Sequence, residues 1–181
     1  RRGIPDSVSD AFVIGFDGKG GRVTFPVRRE DGKIVGVSGR TLYEDKKNPF
    51  WAKWYHYFGM DKSWYLFGKH LISGGSFRSV IVVEGIFDAV KLWAIRGDLP
   101  VAPVSCMGSL SDTQIKKLHS WGLGVYIMYD GEGNEKKAAE TMKKAMEHAR
   151  KVRKKAKLTV FVCRLPIGKD PDDLRDRDEL S

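Results

Sequence analysis

The sequence predicts an α/β fold, a largely parallel sheet flanked by helices, preceded by a small amino-terminal lobe of mixed α+β character. Three observations carry that reading. From Ser79 onward the apolar pattern alternates strand, helix, strand, helix, strand, helix, strand, the rhythm of parallel βαβ units. The strand candidates are short β-branched runs such as Val80 to Val83, which suit strands covered on both faces. Ahead of them Arg22 to Val27 and Lys33 to Ser38 alternate polar and apolar residues around Asp31-Gly32, the pattern of a hairpin.

Taken in order, Pro5 and Asp6 open a short helix carrying Val8, Phe12 and Val13, which runs into a strand near Ile14 to Phe16. The hairpin comes next. Residues 43 to 70 interleave Tyr43, Phe50, Trp51, Trp54, Tyr55, Tyr57, Phe58, Trp64, Tyr65 and Phe67 with Lys46, Lys47, Lys53, Lys62 and Lys69, without a clear period. Such a stretch can stack bases and neutralise phosphates; the competing expectation is that most of its aromatic rings pack the lobe against the next domain. Gly74-Gly75 marks the expected boundary between an amino-terminal unit, residues 1–74, and a second unit, residues 75–181.

In the second unit the run Val80 to Val83 stops at Glu84, Gly85 permits a sharp turn, and Ile86, Val90, Trp93 and Ala94 recur at helical spacing. That places Asp88 in the first helical turn, near Glu84. Pro100 to Ser105 reads as the next strand, and Ser111 with Gln114 forms a capping box for the helix after it. Val125 to Tyr129 is a third strand. A long helix from Glu135 to about Lys155 presents Ala138, Ala139, Met142, Ala145, Met146 and Ala149 as its apolar face, and its lysines read as a solvated face. Leu158 to Cys163 is the fourth strand.

Composition narrows the function classes. With 181 residues and 41% hydrophobic content the chain can bury a substantial core. Lys and Arg outnumber Asp and Glu by 32 to 23, a formal charge of +9, which favours polyanionic partners. Two cysteines, Cys106 and Cys163, exclude a disulfide framework and a cysteine-rich zinc site. Without a span-length apolar run or a signal-peptide core, the expectation is a cytoplasmic protein with no membrane partner.

The acids carry the chemistry. Glu84 with Asp88, Asp130 with Glu132, and Asp170 with Asp172 each follow a predicted strand. Acids two residues apart project to the same side of an extended backbone, and Pro171 biases Asp170 toward that geometry. Carboxylates gathered at one sheet edge need cations, and hard divalent ions with oxygen ligands, Mg²⁺ or Mn²⁺, answer that need. Asp88 serves equally well as a helix cap.

The series VVEGIFDAV, MGSLSDTQIKKL, YDGEGNEKKAA and LPIGKDPDDL resembles the Toprim domain, a metal-dependent catalytic fold of topoisomerases, primases and some nucleases. RVTFPVRREDGKIVGVSGRTL and LPIGKDPDDL resemble the RNA-polymerase core of bacterial and phage replicative primases. RRGIPDSVSDAFVIGF is similar to the segment preceding that core. The resemblance implies that Glu84, Asp130 and Asp170 are catalytic acids, and that Glu84, Asp88, Asp130, Glu132, Asp170 and Asp172 bind metal. It implies that Arg40, Lys53 and Lys62 line a groove for template or nucleoside triphosphate. Two departures stand out: Glu132 replaces the second aspartate of a D-x-D element, and Asn134-Glu135 replaces a small A-G pair.

The expected function is therefore a DNA primase core, a nucleotidyltransferase making RNA primers on single-stranded DNA from nucleoside triphosphates. A replicative helicase, fused or separate, is the implied partner. A Toprim nuclease and a non-catalytic nucleic-acid-binding module are the alternatives.

Overall fold

The computed structural model describes residues 3–42, 52–57, 59–73 and 76–180. Helix α1, Asp6–Phe12, starts after Pro5 in extended conformation and ends at Val13 with φ 53°. Strands β1 (Gly15–Asp17), β2 (Arg22–Arg28), β3 (Ile34–Thr41) and β4 (Trp54–Tyr57) form an antiparallel sheet in that order. The expected hairpin joins β2 to β3. Gly32 takes φ 79° there, and Arg29 N–H donates to the Lys33 carbonyl at 2.9 Å. The register slips between Val27 and Arg28, a bulge that increases local twist.

The second sheet is wholly parallel, with β5 (Ser79–Val83), β6 (Val101–Ser105), β7 (Gly124–Met128) and β8 (Val160–Cys163) in the order β6-β5-β7-β8. Helices α2 (Ile86–Ile95), α3 (Asp112–Trp121) and α4 (Glu135–Ala156) connect them. Every residue from Val80 to Val83 is buried, and the alternation of a strand divides them between two cores. Val80 and Val82 pack with Ile115, Leu118, Ala145 and Val152 beneath α3 and α4. Ile81 and Val83 face α2 and share a core with Phe12, Phe25, Val27 and Phe67. The antiparallel lobe thus seals the α2 side of the parallel sheet, and burying these rings supplies the apolar area that joins the two sheets.

Several expectations need correction. In α4 the buried stripe is Ala145, His148, Ala149, Val152 and Ala156, whereas Ala139 and Met146 are exposed. Counting apolar residues favoured Met146, but the sheet covers only the carboxyl half of the helix and His148 occupies the covered face. Of the described aromatic residues between 43 and 70, Trp54 and Phe67 pack inward as expected. Phe25 lies 5.8 Å from Trp54 and 5.0 Å from Phe87, centroid to centroid. Tyr55 and Trp64 are more than half exposed, and Lys69 is buried in an ion pair with Glu30. Tyr43, Lys46, Lys47, Phe50, Trp51, Phe58 and the expected boundary at Gly74-Gly75 lie outside the described residues. Phe67 exchanges two backbone hydrogen bonds with Ser105, so a residue on the amino-terminal side of that boundary extends the parallel sheet. Among the described residues no helix is long and apolar enough to cross a membrane.

Candidate active site

Strand order decides where the site lies. The chain passes from β5 to β6 on one side, then returns to place β7 on the other side of β5. Such a reversal opens a crevice outside the carboxyl ends of the two strands, here β5 and β7. Glu84 directly follows β5, and Asp130 stands two residues beyond β7. The crevice is a cleft of about 410 Å³ lined by Glu84, Asp88, Asp130, Asp170 and Asp172 together with Arg40, Lys53, His56 and Lys62.

Each acid is held by local structure. The Glu84 carbonyl accepts from the Ser105 hydroxyl at 2.9 Å and from Gly108 N–H at 3.0 Å, which ties the β5 end to the β6 end. Asp88 is buried and accepts from Gly85 N–H at 2.9 Å, so it caps α2 as the sequence allowed while lining the cleft. Asp130 is drawn to Asp170 by paired loops: Gly131 N–H donates to the Lys169 carbonyl at 2.7 Å, and Gly168 N–H to the Glu132 carbonyl at 2.6 Å. A Cβ at Gly131 would stand 2.1 Å from the Pro166 carbonyl oxygen, so only glycine permits this approach.

Two expected geometries are corrected. Glu132 adopts φ 53°, so the backbone from Asp130 is not extended and the two side chains do not share a side. Glu132 does not line the cleft; it turns toward α4, where Thr141 Oγ1 donates to its carboxylate at 3.4 Å. Asp170 is extended, with φ −105° and ψ 162°, but Pro171 opens a 3₁₀ turn over Pro171–Asp173. That turn, rather than strand alternation, brings Asp170, Asp172 and Asp173 together, with carboxylate oxygens within 4.8 Å of one another. Asp173, unpredicted as a site residue, accepts from Asp170 N–H at 2.9 Å.

The acids act on one another electrostatically. Burial, then the charges of Asp88, Asp170, Glu84 and Glu132, raise the Asp130 pKa to about 7. Its Oδ1 is buried and has no hydrogen-bond partner among the described residues. An orphaned oxygen among hard carboxylate donors fits a divalent cation better than any protein group nearby.

The same cleft carries positive charge. The Arg40 guanidinium lies 5.4 Å from the Trp54 ring centroid and 5.5 Å from that of Phe87, so the aromatic packing that joins the sheets also aims this cation. Lys53 and Lys62 are exposed. Gln114, fully buried, fixes the Lys62 segment: its amide nitrogen donates to the carbonyls of Lys62, Tyr65 and Cys106 at 3.1, 2.7 and 3.1 Å. The sequence revealed Gln114 only as a cap, a role it also fills by accepting from Ser111 N–H at 2.8 Å. His56 was missed altogether. Its Nδ1 lies 2.8 Å from Ser38 Oγ, and burial followed by the Lys62 charge lowers its pKa. Lys144, read as part of a solvated face, reaches the Glu84 carboxylate. No local pattern distinguishes it from its neighbours.

Comparison with known proteins agrees with this fold. A Toprim-like family profile matches residues 81–175. DNA primases of Aquifex aeolicus and Thermotoga maritima are each 29% identical, over 84% and 96% of this chain, and the chain spans only 29% of the length of each. The crystal structure of the Aquifex aeolicus primase zinc-binding and RNA polymerase domains superposes with a TM-score of 0.73 at 25% identity, over 95% of this chain and 49% of that one. The DnaG primase catalytic domain bound to single-stranded DNA has the same fold, with a TM-score of 0.69 at 24% identity over 96% of this chain and 64% of that one.

Proposed function

Because the chain belongs to the Toprim-like family, whose primases use divalent metal, we propose that it is the catalytic core of a DNA primase. It joins ribonucleotides on a single-stranded DNA template by nucleotidyl transfer, using Mg²⁺ or Mn²⁺. One observation carries the reading: carboxylates from three loops and cations from the amino-terminal segment line a single cleft. A nucleotidyl transferase needs both, since a triphosphate must be gripped by cations while its reacting end meets metal held by acids.

Glu84, Asp130, Asp170 and Asp172 hold the cation, with Asp88 fixing the turn beneath them and Glu132 at the margin. When bound, the metal supplies charge neutralisation to the triphosphate and activates the attacking 3′ hydroxyl. Arg40, Lys53 and Lys62 bind phosphates of template or nucleotide, Arg40 held by its rings and the other two free to follow a moving strand. Rigid placement of these groups lowers the barrier by positioning and preorganised charge. We read residues 1–74 as the unit that supplies the basic wall and residues 75–181 as the unit that supplies the acids.

The test is template-directed dinucleotide synthesis with Mg²⁺ or Mn²⁺. Glu84→Gln, which keeps the shape but removes the charge, is expected to lower the rate by a hundredfold or more, about 3 kcal/mol of barrier. An unchanged rate would refute the site. Shortened strands without added nucleotides would instead favour hydrolysis, the chemistry of a Toprim nuclease.

A further inference from the structure

Glu84 meets a cation of the chain itself. Lys144 projects from α4, and its ammonium pairs with the Glu84 carboxylate, which is 18% exposed. The same nitrogen lies 3.4 Å from the Gly108 carbonyl oxygen and 5.6 Å from the centroid of the Tyr129 ring. These three contacts occupy the carboxyl ends of β5, β6 and β7, the rim on which the acids stand. The placement is built rather than incidental, because His148, one helical turn further along α4, is buried with Nδ1 2.7 Å from the Tyr129 hydroxyl. Residues four apart share a helix face, so the anchoring of His148 at the end of β7 directs Lys144 inward. The other ion pair that α4 makes among the described residues, Lys155 with Asp112, sits at the far end of the helix with both partners well exposed.

We propose that Lys144 is the resident counter-cation of the acidic cluster, neutralising Glu84 whenever no divalent ion does so, and that a divalent ion taking Glu84 must displace it. This rests on the metal-dependent reading of the cleft. It follows from charge and distance: the ammonium touches Glu84 Oε1 and repels a divalent ion brought onto the same oxygen, and the flexible four-carbon stem of lysine lets it swing away while α4 stays fixed. The displaced ammonium is already partly exposed, at 40%, so its release needs no unfolding of the helix. Lys144 is accordingly a positioning and metal-tuning residue. It holds the Glu84 carboxylate in place without metal and lowers the affinity with which metal binds.

The test measures Mn²⁺ binding to the whole chain by electron paramagnetic resonance, with melting followed in EDTA and in saturating Mn²⁺. Lys144→Met and Lys144→Gln are expected to bind Mn²⁺ about tenfold more tightly than wild type, the effect of removing one unit charge beside a partly exposed carboxylate. Both should melt lower than wild type in EDTA, with the gap closing in Mn²⁺. Lys144→Arg should restore wild-type behaviour in both measurements. Equal Mn²⁺ affinity in wild type and in both neutral variants, with affinity lost in Asp130→Asn, would overturn the inference and leave the metal site standing. Absence of Mn²⁺ binding by wild type would overturn the metal reading and the inference together.

Discussion

Asp130 makes metal binding a function of pH. Its carboxyl is held near pKa 7 by burial and by neighbouring acids, against 3.8 for the unperturbed group, so a cation that needs the charged form competes with a proton. The apparent Mn²⁺ affinity should fall about fivefold from pH 7 to pH 6 and about tenfold more by pH 5, while changing less than about twofold between pH 7 and pH 8. The sign for the metal-free protein is opposite. A raised carboxyl pKa means that folding favours the protonated form, so the stability this group contributes is fully present below about pH 4 and is lost as pH rises through about 7. A gap of about three pH units sets a ceiling of roughly 4 kcal/mol, reduced to about 2 kcal/mol because Asp130 retains some solvent exposure. Calorimetric titration of Mn²⁺ in two buffers of different ionisation enthalpy measures the protons released. Close to one proton is expected at pH 6 and almost none at pH 8. Affinity that stays level from pH 6 to pH 8 in the wild-type chain, with no proton release, would refute the electrostatic account.

The other perturbations probe the scaffold and the basic wall. Gly131→Ala puts a methyl against the Pro166 and Lys169 carbonyl oxygens, and should cost about 1–3 kcal/mol and weaken Mn²⁺ binding as the two loops part; wild-type melting with wild-type affinity would contradict that packing. Gln114→Ala strands the carbonyls of Lys62, Tyr65 and Cys106, so urea unfolding should show a loss of about 2–4 kcal/mol, and a loss below about 0.5 kcal/mol would mean that water replaces the amide without penalty. For Lys62→Ala, binding of single-stranded DNA should weaken and the slope of log affinity against log salt should shrink by about 0.7, one phosphate contact; an unaltered slope would remove Lys62 from the groove.

The structure separates local signals from distant ones. Asp31-Gly32, the capping box of Ser111 with Gln114, and the run Val80 to Val83 ending at Glu84 were legible because each depends on residues within a few positions, where backbone sterics and hydrogen bonding act directly. The antiparallel strand β4 was not. Trp54, Tyr55, His56 and Tyr57 are all large rings or phenols, and the period-2 contrast that reveals a strand is absent when both faces carry aromatic groups. Spacing also misled where a dihedral intervened, since φ 53° at Glu132 turns its side chain away from that of Asp130 whatever the D-x-E spacing suggests.

From its own residues the sequence determined that acids would follow three of the four strands of a parallel sheet and that a basic, aromatic-rich segment would precede them. Only the tertiary structure decided which of those charges meet. Glu84 and Asp130 became neighbours because the strand order reverses between β5 and β7, Asp170 joined them because Gly131 leaves room for the Lys169 loop, and Lys144 entered because His148 turns its helix face inward. Electrostatic energy depends on distance through space, and the linear order of a chain leaves that distance open until the sheet has closed.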